Sequence, residues 1–459
     1  MSEAVGDETV VGTLIGAIRQ QEALKPETIA SLRIILTDAI ATALSADDTP
    51  AARSVVRLAE SAPEGPATVF GVARGVQTET AAFANSTRVH ALLMDDSHPG
   101  TLLHAGTAVL PVALALAEEV DASAELLLTA LAAGYEVMSA VAAPISTETA
   151  MRGLRNVSLF APTGAAAAAG VLLGLDDRRM AAAILSAIGA GGGTLQAFRS
   201  GSPEWRWQPA LGGQAGLAAA RLAAVSEPEL LDVALDAIES PTGFYRTLVG
   251  HDVDWREAML ASIGDGVAGV THKVHATCGA NQGAISALAA ILRREQIAPE
   301  RIVRIEAHVS QMSFDYPGCE SYGPFNEEGT FLSRPFALAA LVLDGGPHLR
   351  REVARRALDD PRLSEMMSRV TSKVAADGVL AHDQHAYVEV ELDDGRILAA
   401  GAADTDPGDL RPDLDGVRRK LELVAPGVAA ALAPLVDALP SGTARNTLAP
   451  LRAQTFGAE

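Results

Sequence analysis

The spacing of apolar residues along the chain predicts a protein built mainly from α-helices. Residues 13–21 (TLIGAIRQQ) and 27–45 (ETIASLRIILTDAIATALS) place apolar side chains at i, i+3, i+4 and i+7, the spacing of one helix face. From 78 to 245 the chain is mostly long, Ala-rich helical sequence, and such helices pack closely, so we expect a compact helical bundle there. Loops are predicted between these helices at 94–106, 144–157, 189–194 and 200–212.

The pattern of apolar positions changes near residue 270. Residues 301–310 (RIVRIEAHVS) alternate as in a half-buried strand, and 386–400 (AYVEVELDDGRILAA) predict a hairpin that turns at Asp394-Gly395. Helical patterns return at 413–424 and 430–439. We therefore predict a mainly α fold with a large all-helical domain and a smaller inserted α/β lid domain. The predicted boundaries are 1–268 and 398–459 for the discontinuous helical domain and 269–397 for the lid domain.

Composition narrows the class of protein. The 459 residues are 48% hydrophobic, and the net charge of −21 argues against nucleic acid or an anionic membrane surface as the partner. The most apolar runs are too short, or too rich in Ala and Gly, to span a bilayer. The acidic N-terminus lacks the features of a signal peptide, so we expect a cytoplasmic protein. With Cys278 and Cys319 as the only cysteines and no CxxC or HExxH motif, neither a disulfide framework nor a structural zinc site is expected.

One predicted loop, 94–106 (MDDSHPGTLLHAG), concentrates acids and imidazoles. It holds Asp95, Asp96, His98 and His104. A carboxylate within hydrogen-bond reach of an imidazole orients the ring and raises its basicity, which is an acid/base unit. A metal site, or a polar loop with an Asp helix cap and a buried His, would explain the same residues.

A second candidate stretch is 270–284 (VTHKVHATCGANQGA), at the predicted domain junction. Lys273 lies between His272 and His275, where it could act as a base with a lowered pKa or hold a carboxylate. A surface strand with a solvated Lys is the alternative, but a domain boundary favours a functional cleft.

A third stretch, 200–214 (SGSPEWRWQPALGGQ), places Arg206 between Trp205 and Trp207. Strand-like alternation would put both indoles on one face and the guanidinium on the other. Arg206 could clamp a carboxylate through two hydrogen bonds or stack on aromatic rings. Within a predicted helix, Tyr135 needs a partner for its hydroxyl if it is buried.

The order and spacing of several segments resemble the MmgE/PrpD family over nearly the whole chain. No single motif is diagnostic. The matching segments are ATVFGVARGVQTETAAFANSTRVHALLMDDS, HAGTAVLPVALALAE, AAGYEV, AAAAAGVLLGLD, the stretch from Lys273 to Cys278, GTFLSRPFALAALVLDGG, ELDDGR and RRKLELV.

This resemblance implies a large helical domain with an inserted lid, a homodimer, and no metal or organic cofactor. It also implies a reaction in which a proton is removed next to a carboxylate of a small organic acid. Overall the substrate then loses water or carbon dioxide, or the carbanion is reprotonated, in a basic cleft between the domains.

Some positions of this chain keep the family's residue type, and others carry a replacement. Arg155 stands where the family has a His, in Gly-Leu-Arg instead of Gly-Phe-His, and Gln282 replaces another His. Trp205 replaces the Lys of a Lys-Arg pair, and Leu93 replaces an Asp before the Asp-Asp pair. Lys420 keeps the family's residue type. The expected catalytic residues are His104, Lys273, Tyr135, Asp95 and Asp96. The expected substrate-binding residues are Arg155, Arg206, Trp205, His98, His275, Gln282 and Ser333.

These replacements leave an incomplete set of acid/base groups, because Arg155 and Gln282 cannot exchange protons as imidazoles do. The resemblance nevertheless implies an enzyme that abstracts a proton α to a carboxylate or carbonyl, with a dehydratase-type carbon–oxygen lyase as the expected class. The alternatives are an epimerase, isomerase or cyclase that uses the same cleft, and a catalytically silent ligand-binding protein.

Overall fold

A computed structural model describes residues 8–46, 48–323, 325–380, 384–405, 411–424, 442–448 and 452. The fold is mainly α, as predicted. The α-helices are Val10–Gln20, Pro26–Leu44, Pro50–Ser61, Thr78–His90, Val109–Glu119, Ala124–Ala142, Ser146–Met151, Asn156–Leu172, Asp177–Ile188, Gln196–Ser200, Gln208–Val225, Phe244–Val249, Trp255–Ser262, Gln282–Glu295, Gln311–Asp315, Arg334–Asp344, Arg351–Leu358, Leu363–Ser368, Leu414–Val424 and Ala444–Leu448. The strands are Glu64–Ala67, Asp96–Ser97, Thr271–His272, Ile302–Val309, Val370–Val374, Ala386–Leu392 and Ile397–Ala400. The helix predicted at 430–439 lies outside the described residues.

Small residues let the longest helices of the bundle pack backbone to backbone. A Cβ on Gly134 would lie 2.8 Å from the carbonyl oxygen of Gly164 in the neighbouring helix. This confirms the expectation of close packing drawn from the Ala-rich sequence. Ala124–Ala142 is long and apolar enough to cross a membrane, but 83% of that window is buried inside the protein. Val417 and Leu448, from near the C-terminus, join the same core.

A second apolar core forms between 284 and 400. Its sheet has the strand order Val370–Val374, Ile302–Val309, Ala386–Leu392, Ile397–Ala400. The first pair is parallel and the other two pairs are antiparallel, so the predicted strand and hairpin are both confirmed. The inward residues of the sheet pack against apolar side chains of helices such as Arg334–Asp344. The boundaries of a separate lid domain at 269–397 stay a prediction.

A short antiparallel pair brings two of the candidate stretches together. Asp96 pairs with His272, and Ser97 pairs with Thr271. The loop of 94–106 folds back on itself through backbone hydrogen bonds of 2.9 and 3.3 Å between His98 and Leu103. The first half of the candidate site is therefore fixed to the segment that carries Lys273.

The predicted loop at 200–212 is confirmed only for its first part, between the helices that end at Ser200 and begin at Gln208. Pro203–Arg206 forms a 3-10 turn, and a helix begins at Gln208 and continues to Val225. Gly212 and Gly213 lie inside that helix, where they permit close contact with the neighbouring helices. Similarly, the predicted loop at 144–157 contains the short helix Ser146–Met151.

Candidate active site

Asp95 is the centre of a buried polar cluster. Its carboxylate lies 2.9 Å from Nδ1 of His90, and its Oδ2 lies 3.2 Å from both Nδ1 of His104 and Nζ of Lys273. Burial alone would raise the pKa of Asp95, but the charge of Lys273 and the two imidazoles hold it below its usual range. Leu93 has φ of 52°, a left-handed conformation unusual for Leu, and this turn precedes Asp95. Asp95 is therefore an ionised carboxylate that contacts three nitrogen-bearing side chains.

His104 reaches solvent from this cluster, since 20% of its side chain is exposed. Its Nδ1 lies 2.8 Å from the carbonyl oxygen of Asp96, which can only accept a hydrogen bond, so Nδ1 carries the proton. Nε2 then keeps a lone pair, and none of the described residues hydrogen-bonds to it. Burial, and then the charge of Lys273, lower the pKa of His104 to about 3, so the ring is neutral near pH 7. The predicted Asp-oriented imidazole is present, and Asp95 supplies the carboxylate.

His90 lies behind His104, with ring centroids 5.9 Å apart. Arg155 donates a hydrogen bond to Nε2 of His90, which leaves the proton on Nδ1 for the bond to Asp95. Burial lowers the pKa of His90 to about 4 and that of Arg155 to about 10. Sequence reasoning did not single out His90. Its position at the end of the helix Thr78–His90, five residues before Asp95, was the available signal.

The carboxylate of Asp96 has hydrogen-bond partners different from those of Asp95. Its carboxylate accepts a hydrogen bond of 2.8 Å from the hydroxyl of Tyr135 and one of 3.1 Å from the backbone of Gly106. Burial, and then the neighbouring charge of Asp95, raise the pKa of Asp96 to about 6. A Cβ on Gly106 would lie 2.7 Å from both the carboxylate of Asp96 and the hydroxyl of Tyr135, so only glycine fits there. Tyr135 therefore has the partner that its burial required.

A cleft of about 50 Å³ lies in front of His104. Its walls come from the loop of 97–104 and from residues 278–280, 312–316 and 384. The polar side chains on its walls are Ser97, His104, Cys278, Ser313, Tyr316 and Gln384. Lys273 and Tyr135 are fully buried and do not line it. Tyr316 carried no sequence signal, because it lies in a non-periodic segment, whereas Cys278 lay within a candidate stretch.

The Trp-Arg-Trp stretch does not alternate as a strand would, because it forms the 3-10 turn. Trp205 is fully buried, and its ring packs 4.7 Å from Phe198 and 4.3 Å from the guanidinium of Arg206. Arg206 also forms an ion pair with Glu328, to which Nε1 of Trp205 donates a 3.0 Å hydrogen bond. Aromatic stacking, one of the two roles considered for Arg206, is thus confirmed. Neither Trp205 nor Arg206 lines the cleft.

The structure places the other four expected binding residues outside the cleft. His98 contacts Thr101 and Asp265, and His275 contacts Ser286 in the helix Gln282–Glu295. The amide of Gln282 satisfies backbone groups of residues 274, 275, 277 and 278. Ser333 caps its helix by accepting a 3.1 Å bond from the backbone of Phe336.

A second buried charge cluster contacts the first residue of the loop of 94–106. Asp38 lies 2.6 Å from Nζ of Lys420 and 3.1 Å from Nδ1 of His272. Lys420 also donates to the carbonyl oxygen of Met94 at 2.9 Å, just before the two aspartates. Asp38 lies inside the predicted helix of 27–45. The spacing of apolar residues predicts that helix but does not indicate that Asp38 forms a buried ion pair.

A possible metal-binding group lies on the outer face of the four-stranded sheet. Glu306, His308 and Glu389 offer ligand atoms within 4.8 Å of one another. Glu306 is already paired, at 2.9 Å with Lys373 and at 2.6 Å with Arg304. These cations compete with any metal ion, so the group gives no support for metal binding.

Comparison with known proteins adds two findings. Residues 18–256 match the MmgE/PrpD N-terminal domain, and residues 275–431 match the MmgE/PrpD C-terminal domain. The chain is also similar to a cis-aconitate decarboxylase-like protein, oryM, of Aspergillus oryzae. The two are 25% identical over 387 residues, which cover 79% of this chain and 79% of that protein.

Proposed function

Because the chain belongs to the MmgE/PrpD family, we propose that it is an enzyme of the dehydratase or decarboxylase kind. Its reaction is the removal of a proton α to a carboxylate or carbonyl of an organic acid. Elimination of water, as in a carbon–oxygen lyase, is the outcome that we favour, and the similarity to a decarboxylase-like protein supports a lyase in the broader sense.

The observation that carries this proposal is the state of His104. The ring is neutral, its Nδ1 donates a hydrogen bond to the backbone of Asp96, and its Nε2 lone pair has no hydrogen-bond partner among the residues that the structure describes. Such a ring can accept a proton from a substrate in the cleft. The imidazolium that forms is stabilised by the carboxylate of Asp95, 3.2 Å away.

The carbanion formed by this step needs positive charge and hydrogen-bond donors nearby. The ammonium of Lys273 contacts Asp95, and the guanidinium of Arg155 contacts His90. These two cations supply the positive charge. Burial raises the pKa of Tyr316, so its phenol stays protonated on the cleft wall and can donate a hydrogen bond to a substrate carboxylate. Tyr316 thereby takes over the anion-holding role that was expected of Arg206.

The small volume of the cleft argues for a step in which it opens. At about 50 Å³ it has room for only part of an organic acid. One wall belongs to the loop of 97–104 and the other to segments around the second core, so a movement of the predicted lid, 269–397, would admit the substrate. We further propose that the protein acts as a homodimer in the cytoplasm, with no metal or organic cofactor.

Proton NMR in deuterium oxide tests the reaction. The protein is incubated with methylcitrate, cis-aconitate, iminodisuccinate and related hydroxy and amino polyacids. Loss of an α-proton signal with formation of an alkene supports a lyase, and exchange without net elimination supports the epimerase or isomerase alternative. Ring formation without exchange would favour a cyclase. Thermal stabilisation by an acid without any turnover would instead favour a silent binding protein.

A further inference from the structure

The only two cysteines of the chain meet at the cleft. Cys278 lines the cleft, and Cys319 is fully buried behind it. The thiol of Cys319 hydrogen-bonds to the sulfur of Cys278. A thiol that shares a cleft wall with the candidate base His104 is a reactive group that the proposed proton abstraction has not yet used.

The surroundings of Cys278 favour its thiolate. The residue precedes the turn Gly279–Asn281, which leads directly into the helix Gln282–Glu295. Besides Cys319, the backbone N–H of Ala280 hydrogen-bonds to the sulfur, and together these contacts lower the pKa of Cys278 to about 7. The charged and titratable groups around the sulfur are Lys273, Arg334, Arg155, Tyr316, Cys319 and, across the cleft, His104.

The departing oxygen or the carbanion needs a proton, and a group separate from His104 can supply it while His104 still holds the α-proton. Neutral His104 can take a proton at Nε2, but it has none to give from that atom. Lys273 and Tyr135, the partners expected from the sequence, lie behind the aspartates and outside the cleft. Gln282, at the position of a family histidine, is occupied with backbone groups. On the cleft walls, Cys278 is the group whose pKa is closest to neutral, where a residue can both give and accept a proton.

We propose that the thiol of Cys278 is the proton donor that complements His104, a role that rests on the proposed function. Nε2 of His104 takes the α-proton, and the electron pair of the C–H bond becomes a carbanion. In elimination, that pair forms the double bond as the C–O bond breaks, and the thiol proton goes to the departing oxygen to give water. In epimerisation, the thiol proton goes to the carbanion carbon. Either way an imidazolium and a thiolate remain, and proton exchange through solvent restores the neutral pair.

Three variants test this role with the substrate found by NMR. In Cys278→Ala and Cys278→Ser we expect at least a hundredfold lower rate, because general acid catalysis contributes about 10²–10⁴-fold. Stabilisation by bound substrate should persist. In Cys319→Ala the sulfur loses a hydrogen-bond donor, so the alkaline limb of the pH–rate profile should move to higher pH while activity is retained. Mass spectrometry of iodoacetamide labelling against pH reads the Cys278 thiolate without using activity, and its midpoint should lie near pH 7.

The outcomes separate the two proposals. A wild-type protein that exchanges α-protons, together with a Cys278→Ala variant within threefold of its rate, overturns the role of Cys278 and leaves the proposed function standing. A labelling midpoint above about pH 8.5, the ordinary value for a thiol, also overturns that role. A wild-type protein that exchanges no α-proton of any acid overturns the proposed function, and the donor role of Cys278 falls with it.

Discussion

Replacing Asp95 by Asn should destabilise the protein strongly, because it leaves a buried cation without its counter-charge. Lys273 is only 1% exposed, and apart from Asp95 its ammonium donates to the carbonyl oxygen of Leu93 at 3.3 Å. Breaking a buried ion pair by removing one partner costs about 3–5 kcal/mol in the free energy of unfolding. We expect a loss of this size for Asp95→Asn.

Removing the other partner, in Lys273→Met, should lower the free energy of unfolding by less. In Lys273→Met the carboxylate of Asp95 keeps hydrogen bonds from His90 and His104. The charge of Lys273 also lowers the pKa of both imidazoles, so its removal lets one of them take up a proton and neutralise the site. The double variant removes both charges, and we expect it to recover about 2 kcal/mol relative to the sum of the single losses.

Urea unfolding at pH 7 and low salt, followed by tryptophan fluorescence, measures these changes. Trp205 is a suitable reporter, since its ring packs 5.1 Å from that of His90. Equal, additive losses below about 1 kcal/mol for both single variants would refute a buried Asp95–Lys273 ion pair. The matched control is Asp252→Asn, because Asp252 pairs with Arg246 at the surface, and such pairs contribute about 1 kcal/mol or less.

Substitutions and pH changes elsewhere test three further points. The folded pKa values of His104 (about 3) and His90 (about 4) lie below the ordinary 6.5, so below pH 6.5 the unfolded chain binds protons that the folded protein does not. Each ring should lower the stability by about 1.4 kcal/mol per pH unit as the pH drops, and between about pH 6 and pH 4 the raised pKa of Asp96 offsets one of these two contributions. His104→Gln should reduce the slope in urea titrations, and an unchanged slope contradicts the assignment. Ser333→Ala should cost about 1 kcal/mol as a lost helix cap and leave KM unchanged, whereas a tenfold higher KM would make Ser333 a substrate contact. Trp205→Ala should cost about 3–5 kcal/mol in urea unfolding, and a loss under 1 kcal/mol would mean that the indole is not a core residue.

The helices and strands that could be predicted from the sequence are those whose periodicity is set by one buried face. The strand Ile302–Val309 and the hairpin around Gly395 alternate because one side of the sheet packs on the second core. The predicted loop at 200–212 is too long, because the helix Gln208–Val225 begins within it. Inside Gln208–Val225, however, Pro209 occupies the first turn, where its missing N–H does no harm, and Gly212 permits a close helix contact.

The candidate site could be predicted from the sequence only in part, namely where its residues lie close together along the chain. Asp95, Asp96 and His104 are close in sequence, so a loop that folds back was enough to bring them together. Tyr316 comes to the cleft from a distant segment, and nothing in its neighbours indicates that contact. The role of Arg206 could not be decided from the sequence, because a long cation is equally suited to a substrate carboxylate and to a glutamate of its own chain, here Glu328.

The central claim is that Nε2 of His104 removes the α-proton of a bound organic acid. The most direct test compares deuterium incorporation at that carbon by the wild-type protein, His104→Ala and the surface control His251→Ala. The account predicts at least a hundredfold slower incorporation in His104→Ala alone, with stabilisation by the acid retained in all three proteins. Incorporation at the wild-type rate in His104→Ala would contradict it.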